Sequence, residues 1–264
     1  MEDAPLKAMA RHRRLKAGHF VFEFATPGIG YILKNAGCDF TILDTEHSGF
    51  GIETVKHSMA YMRAAGLPTI VRVPSREYRD IARALDAGAD ALMLPMVSTL
   101  EEAKSIIQSM KYTPTGGRGV ILRSAHDCYT TGPTLKKLAA QNRRTALFIQ
   151  IETAEGVENA EAIGKLEEVD CLWVGHFDLS CSLGIPGAFE DKRFADAIDT
   201  VIKAGRKTKT SLGRLVPDVE SGIALNKQGF DFIAYSADAW ALGDAVAAGL
   251  AGIRAGVKRR RKTP

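Results

Sequence analysis

Leu147-Phe148-Ile149-Gln150-Ile151-Glu152-Thr153 and Cys171-Leu172-Trp173-Val174-Gly175-His176-Phe177-Asp178-Leu179-Ser180 are two short apolar runs, each leading into a carboxylate. Between them Val157, Ala160, Ile163 and Leu166 recur at helical spacing, which predicts a helix over Val157–Val169. Strand, helix and strand make the two runs parallel neighbours joined by a right-handed crossover. Glu152 and Asp178 then stand at, or just past, the C-terminal ends of adjacent strands. In an α/β barrel that is the face on which active sites are built. Hard divalent cations take oxygen ligands, and Mg²⁺ commonly uses a carboxylate or a pair of them, leaving its other positions to water and substrate. The pair reads as the protein's share of a catalytic metal site.

The same alternation extends outward in both directions. Strand-like runs are Phe20–Phe24, Phe40–Asp44, Thr69–Arg72, Ala91–Leu94, Leu212–Val216 and Phe232–Tyr235. Helices are predicted over Ala4–Ala17, Ile29–Ala36, Ile52–Ala65, Tyr78–Ala87, Leu100–Met110, Arg193–Lys207, Ser221–Lys227 and from Ala239 to about Arg254. Gly37, Gly88 and Gly229 read as helix terminators. The Gly-, Pro- and Thr-rich stretch Lys111–Gln141 breaks the rhythm and reads as a functional or mobile loop. About eight β units alternating with helices point to an α/β fold, a closed (β/α)8 TIM barrel. One such domain would occupy residues 1–264, with an N-terminal helix to residue 18 and a basic tail from residue 257. An open doubly wound sheet is the alternative, weakened by the lack of a Gly-rich phosphate loop after the first strand.

The composition, 45% hydrophobic and 25% charged over 264 residues, is that of an ordinary globular protein. A formal charge of +4 invites a nucleic-acid partner, but Lys258-Arg259-Arg260-Arg261-Lys262 carry five of the 35 basic residues. Without them 30 basic residues face 31 acidic ones, so the tail reads first as a solvated terminus. Cys38, Cys128, Cys171 and Cys181 show neither CxxC pairing nor zinc spacing. No run approaches the ~20 residues of a membrane span. The first residues lack a signal-peptide core, and a soluble, reducing, cytoplasmic setting is expected.

The remaining strand ends carry Glu23, Asp44 with Glu46 and His47, Arg72, Pro95 and Leu215. None bears a lysine for a Schiff base. These groups suit either a structural ion-pair network or enolate chemistry. In the second case a metal polarises a carbonyl, a guanidinium offsets oxyanion charge and a histidine moves the proton.

Several motifs, in order, resemble the HpcH/HpaI aldolase family of metal-dependent (class II) pyruvate aldolases. They are Leu43-Asp44-Thr45-Glu46-His47, Val71-Arg72-Val73-Pro74, Leu85-Asp86-Ala87-Gly88-Ala89, Gly117-Arg118-Gly119, Gln150-Ile151-Glu152-Thr153 and Asp178-Leu179-Ser180-Cys181-Ser182-Leu183-Gly184. The family includes 2,4-dihydroxyhept-2-ene-1,7-dioate aldolase, with macrophomate synthase as a relative. The resemblance implies a phosphoenolpyruvate/pyruvate-type barrel and an aldehyde-lyase. The enzyme would cleave or form a 4-hydroxy-2-keto acid, giving pyruvate and an aldehyde through a metal-bound pyruvate enolate. Oxaloacetate decarboxylation and citrate-lyase-like acyl-CoA cleavage are alternatives, and nucleic-acid binding through the basic tail is the non-enzyme one.

By the same resemblance Glu152 and Asp178 would bind Mg²⁺, with Mn²⁺ or Co²⁺ also suited, and Arg72 would face the keto oxygen. His47 would act as base through a metal-bound water, oriented by Asp86 and supported by Asp44, with Glu46 on the same turn. Gln150, Phe177, Asp178 and Leu215 would contact the substrate. A homohexamer is implied, with the C-terminal helix exchanged between subunits. Where family members commonly read Gly-Pro-Ala-Asp-Leu, this chain has Gly175-His176-Phe177-Asp178-Leu179. His176 is therefore either an added ligand or a packing residue. The segment Arg123–Tyr129 also departs from the family pattern, in a region expected to reach toward the pocket.

Overall fold

The structure, a computed structural model, describes residues 5–260. Its strands are β1 (Lys16–Val21), β2 (Phe40–Asp44), β3 (Thr69–Arg72), β4 (Ala91–Leu94), β5 (Ala146–Ile151), β6 (Cys171–Val174), β7 (Ser211–Val216) and β8 (Phe232–Ala237). Each pairs in parallel with the next, and β8 returns to β1, closing the barrel. The helices are α1 (Pro5–Ala10), α2 (Ile29–Asn35), α3 (Ile52–Ala64), α4 (Tyr78–Asp86), α5 (Leu100–Met110) and α6 (Thr134–Arg144). They continue with α7 (Ala154–Gly164), α8 (His176–Ser182), α9 (Lys192–Thr208), α10 (Val219–Gln228) and α11 (Asp238–Arg260). No helix among the described residues is long and apolar enough to cross a membrane.

Alternation along the strands builds two cores. Phe20, Phe40, Ile42, Met93, Phe148 and Phe232 fill the lumen, where Phe232 meets Phe40 and Phe148 edge-on at centroid distances of 5.2 and 5.1 Å. Leu43, Val71, Leu92, Leu147, Leu172 and Leu212 face outward and pack against the helices. Strands buried on both faces explain why β2, β3 and β4 read as near-continuous apolar runs. Gly37, Gly88 and Gly229 end their helices in the left-handed region, with φ of 97°, 108° and 115°.

The N-terminal segment differs from the expected helix to residue 18. Helix α1 stops at Ala10, and Leu6 and Ala10 join the lumen core. Arg13 and Lys16, which read as the polar face of a helix, instead reach Asp231. Lys16 Nζ lies 2.5 Å from Asp231 Oδ2 and donates to the carbonyls of Met9 and His12, and Arg13 Nη1 lies 3.1 Å from Asp231 Oδ1. Strand β1 accordingly starts at Lys16 and ends at Val21, earlier than the predicted Phe20–Phe24. The N–H groups of Phe22, Glu23 and Phe24 leave the ladder and donate to the Asp238 carboxylate at 3.2, 3.1 and 2.8 Å.

The predicted loop 111–141 contains most of helix α6. Its buried face is Lys137, Leu138 and Gln141, so no apolar stripe announces it. Polar contacts hold it instead. Lys137 Nζ is 2.5 Å from Asp127, and Gln141 Nε2 donates to the His126 carbonyl at 3.1 Å. The segment Arg123–Tyr129 packs over the end of α4, with Ser124 Oγ donating to the Asp86 carbonyl, and does not line the cleft at the C-terminal end of its own barrel.

Candidate active site

A cleft of about 390 Å³ opens at the C-terminal end of the barrel. The polar end of β2 meets the end of β3 there. Arg72 grips the Asp44 carboxylate with both arms of its guanidinium, Nε to Oδ1 at 2.8 Å and Nη2 to Oδ2 at 2.7 Å. Its Nη1 lies 3.2 Å from Glu46, on the turn after β2, and its Cζ stands 5.3 Å from the centre of the Phe20 ring. Burial alone would lower the pKa of Arg72, but Asp44 and Glu46 outweigh it and raise it. This planar two-point grip is one that a lysine cannot reproduce.

Glu152 follows β5 and is only 2% exposed. One carboxylate oxygen accepts from the Met96 N–H at 2.6 Å and the other from Gln150 Nε2 at 2.7 Å. Met96 adopts a left-handed backbone, φ 55°, as it presents that N–H. Burial, then the neighbouring Glu46 and Asp178 carboxylates, pushes the Glu152 pKa up to about 7, against the Met96 hydrogen bond and Arg72. Glu46 is pushed up as well, first by burial and then by Asp44 and Asp178. Gly175 lies so close to Glu152 that a Cβ there would stand 2.0 Å from its Oε2. Asp178 lines the cleft from the first turn of α8 rather than from the strand itself.

Asp44, His47, Arg72, Gln150, Glu152, Phe177, Asp178 and Leu215 all line this one space. Two expected partnerships are not made within the single chain. Asp44 supports Arg72 instead of His47, because the guanidinium supplies two donors where an imidazole supplies one. Within one chain Asp86 ends α4 away from the cleft, ion-paired with Arg118, and its own His47 lies out of hydrogen-bond reach. His47 sits at the lip, its side chain 65% exposed, with Nε2 3.8 Å from Glu46. His176 packs against Phe177 and Phe189 at centroid distances of 4.7 and 5.3 Å. Burial, and then Arg214, holds its pKa down to about 4, which keeps the ring neutral where it packs among these aromatic side chains. Trp173, Phe22 and Trp240 also line the cleft and were not anticipated. For Trp173 the signal was present, since alternation on β6 sends it to the lumen.

Among the described residues no group of three or more His, Cys, Asp or Glu side chains stands at metal-binding spacing. The local chemistry nevertheless fits a hard cation that draws only part of its shell from protein. Asp44, Glu46, Glu152 and Asp178 line or border a cleft whose lining includes a single cationic side chain, Arg72. The buried Gln150 Oε1 accepts no hydrogen bond, which leaves one further oxygen without a partner. Glu152, Asp178 and this amide are oxygen donors of the type Mg²⁺ takes.

Comparison with known proteins identifies the family. The chain matches the HpcH/HpaI aldolase/citrate lyase family profile over residues 20–245. It is 31% identical over 207 residues to a 5-keto-4-deoxy-D-glucarate aldolase of Shigella boydii, covering 78% of this chain and 80% of that one. With a hydroxypyruvate/pyruvate aldolase of Paraburkholderia phytofirmans it shares 35% identity over 215 residues, covering 78% and 81%. The crystal structure of an HpcH/HpaI aldolase/citrate lyase family protein from Burkholderia cenocepacia J2315 superposes with a TM-score of 0.88 at 30% identity, over 94% of this chain and 98% of that one. Fold, profile and relatives agree, and the chain belongs to the HpcH/HpaI aldolase/citrate lyase family of carbon–carbon lyases.

Proposed function

We propose that this protein is a divalent-metal-dependent aldolase that cleaves a 4-hydroxy-2-keto acid to pyruvate and an aldehyde, or joins the two. The observation that carries the reading is the excess of carboxylate around one guanidinium, with Asp44, Glu46, Glu152 and Asp178 lining or bordering a cleft whose one Lys or Arg side chain is Arg72. Glu152 and Asp178 would hold the cation, Mg²⁺ first, with Mn²⁺ and Co²⁺ also suited to oxygen donors. When bound, that cation supplies Lewis-acid polarisation of a 2-keto carbonyl.

The chain's own residues supply the rest. His47, at the open lip, takes the proton of the 4-hydroxyl as the C3–C4 bond breaks and the aldehyde forms. The bond's electron pair moves toward C2, and negative charge gathers on the keto oxygen. Arg72 opposes that charge without offering a proton of its own. Protonation of C3 then gives pyruvate. Gln150 presents its amide to the keto acid, and Phe177 and Leu215 form the apolar wall beyond it. The exposed apolar side chains of α11, including Trp240, Leu242, Val246 and Ile253, suit packing against further copies in a homo-oligomer.

Pyruvate release is expected to stop on dialysis against EDTA and to return with Mg²⁺. Activity that survives chelation and is trapped by borohydride would overturn the reading in favour of a Schiff base. Gly175→Ala offers a local check, because its Cβ displaces the Glu152 carboxylate. A shift of about 1 Å in a catalytic group costs about 100-fold in turnover. That loss is expected in steady-state assays of a variant whose circular dichroism spectrum is unchanged.

A further inference from the structure

The proposed keto-acid cleft is not the only space behind Phe177. A second pocket of about 440 Å³ lies between α8, α9, β7 and α10, and Phe189, Phe194 and Arg214 are among its lining residues. His176, Phe177, Leu215 and Trp240 line both spaces, so the two adjoin. Alternation on β7 turns Leu215 toward the lumen and places Arg214 on the outer face with Leu212 and Val216.

Arg214 is partly buried and unpaired. Its Nε is shielded from solvent and makes no hydrogen bond, and no carboxylate among the described residues lies within ion-pair distance of it. Glu190 lines the same pocket without reaching it. Its guanidinium carbon stands 5.5 Å from the centre of the Phe194 ring, and burial pulls its pKa down to about 10 with no anion to restore it. Arg72 shows the opposite case, where Asp44 and Glu46 raise the value. Buried guanidinium groups are normally paired, since an unpaired one forfeits its hydration without compensation. Here the missing partner has an open, mostly apolar space to arrive through.

We propose that this pocket is a subsite for a carboxylate carried by the aldehyde substrate, and that Arg214 selects aldehyde acids over neutral aldehydes. The proposal rests on the aldolase reading above. A mostly apolar pocket that adjoins the cleft and holds one guanidinium suits a short methylene chain ending in a carboxylate, which the planar fork binds through two hydrogen bonds. A neutral aldehyde leaves that fork unpaired, and discrimination follows from the difference.

The experiment compares aldol formation from pyruvate with acceptors of equal length, 4-oxobutanoate against butanal and 5-oxopentanoate against pentanal. Loss of a charge-assisted pair is expected to lower the acid-to-neutral ratio of kcat/KM by about 10- to 100-fold in Arg214→Met. Arg214→Lys keeps the charge and loses the fork, so its ratio should fall less. A ratio unchanged in Arg214→Met overturns the proposal.

A second readout needs no turnover. In EDTA-treated protein, glutarate is expected to quench tryptophan fluorescence saturably, weakly in Arg214→Lys and not at all in Arg214→Met. Equal binding to all three proteins overturns the proposal. Glutarate should also compete with 5-oxopentanoate in the assay, and non-competitive inhibition would assign the pocket to a separate effector and overturn the substrate assignment. If no aldehyde turns over, the aldolase reading fails, while the glutarate titration still decides whether Arg214 holds a carboxylate. If Arg214→Met does not fold, Arg214→Gln takes its place in both measurements, judged by the same outcomes.

Discussion

Arg72→Lys is expected to lower kcat for pyruvate release by about 100- to 1,000-fold, the scale seen when one oxyanion donor is removed. A lysine at this position keeps a charge but cannot span both oxygens of Asp44 and still reach Glu46, as Arg72 does at 2.8, 2.7 and 3.2 Å. The same change should be visible in stability. Asp44 is 2% exposed, and breaking a buried pair by removing one partner costs about 3–5 kcal/mol. Arg72→Ala should show most of that loss in urea unfolding, and Arg72→Lys a part of it. Adding Asp44→Asn to Arg72→Ala should restore stability, because the uncompensated charge is gone. Strictly additive losses in that cycle would mean the two residues act independently.

Glu152 makes the second large effect, and its sign depends on the cation. Its pKa rises from the ordinary 4.5 to about 7 on folding, so between those values the folded state binds more protons than the unfolded one. EDTA-treated protein should therefore lose stability as pH rises through that window, by up to about 3 kcal/mol from this group alone. A bound divalent cation requires the ionised carboxylate, so Mg²⁺ affinity should weaken by up to about tenfold for each pH unit below 7. Unfolding in urea at pH 5 and pH 8, with EDTA and with saturating Mg²⁺, measures both effects. Glu152→Gln should flatten the slope seen in EDTA. A slope identical to that of the unaltered protein would locate its origin elsewhere.

The barrel was legible because strands buried on both faces leave apolar runs that Gly and Pro punctuate, as at Phe40–Asp44 and Thr69–Arg72. The cleft was legible because strand-end residues far apart in sequence, such as Asp44, Arg72 and Glu152, converge wherever such a sheet closes. What escaped was held by polar contacts. Helix α6 buries Lys137 and Gln141, and nothing in a hydrophobic pattern marks those positions. Lys16 reads as a surface residue until Asp231 is found beneath it. Asp86 could meet any nearby cation, and only packing shows that within its own chain it meets Arg118. Arg214 shows the limit most plainly, since a missing partner has no signature in sequence.

Closure of the barrel also bears on how the chain emerges from the ribosome. Strand β1 pairs with β8, and Lys16 and Asp231 stand 215 positions apart. Until the last strand is made, β1 has an open edge and the Lys16 ammonium lacks its carboxylate. Pairings this distant form late and slowly, and open edges invite association between nascent chains. Truncated chains ending before Asp231 carry both the open edge and the unpaired ammonium, and synthesis of the last strand with the residue before it supplies the partner of each.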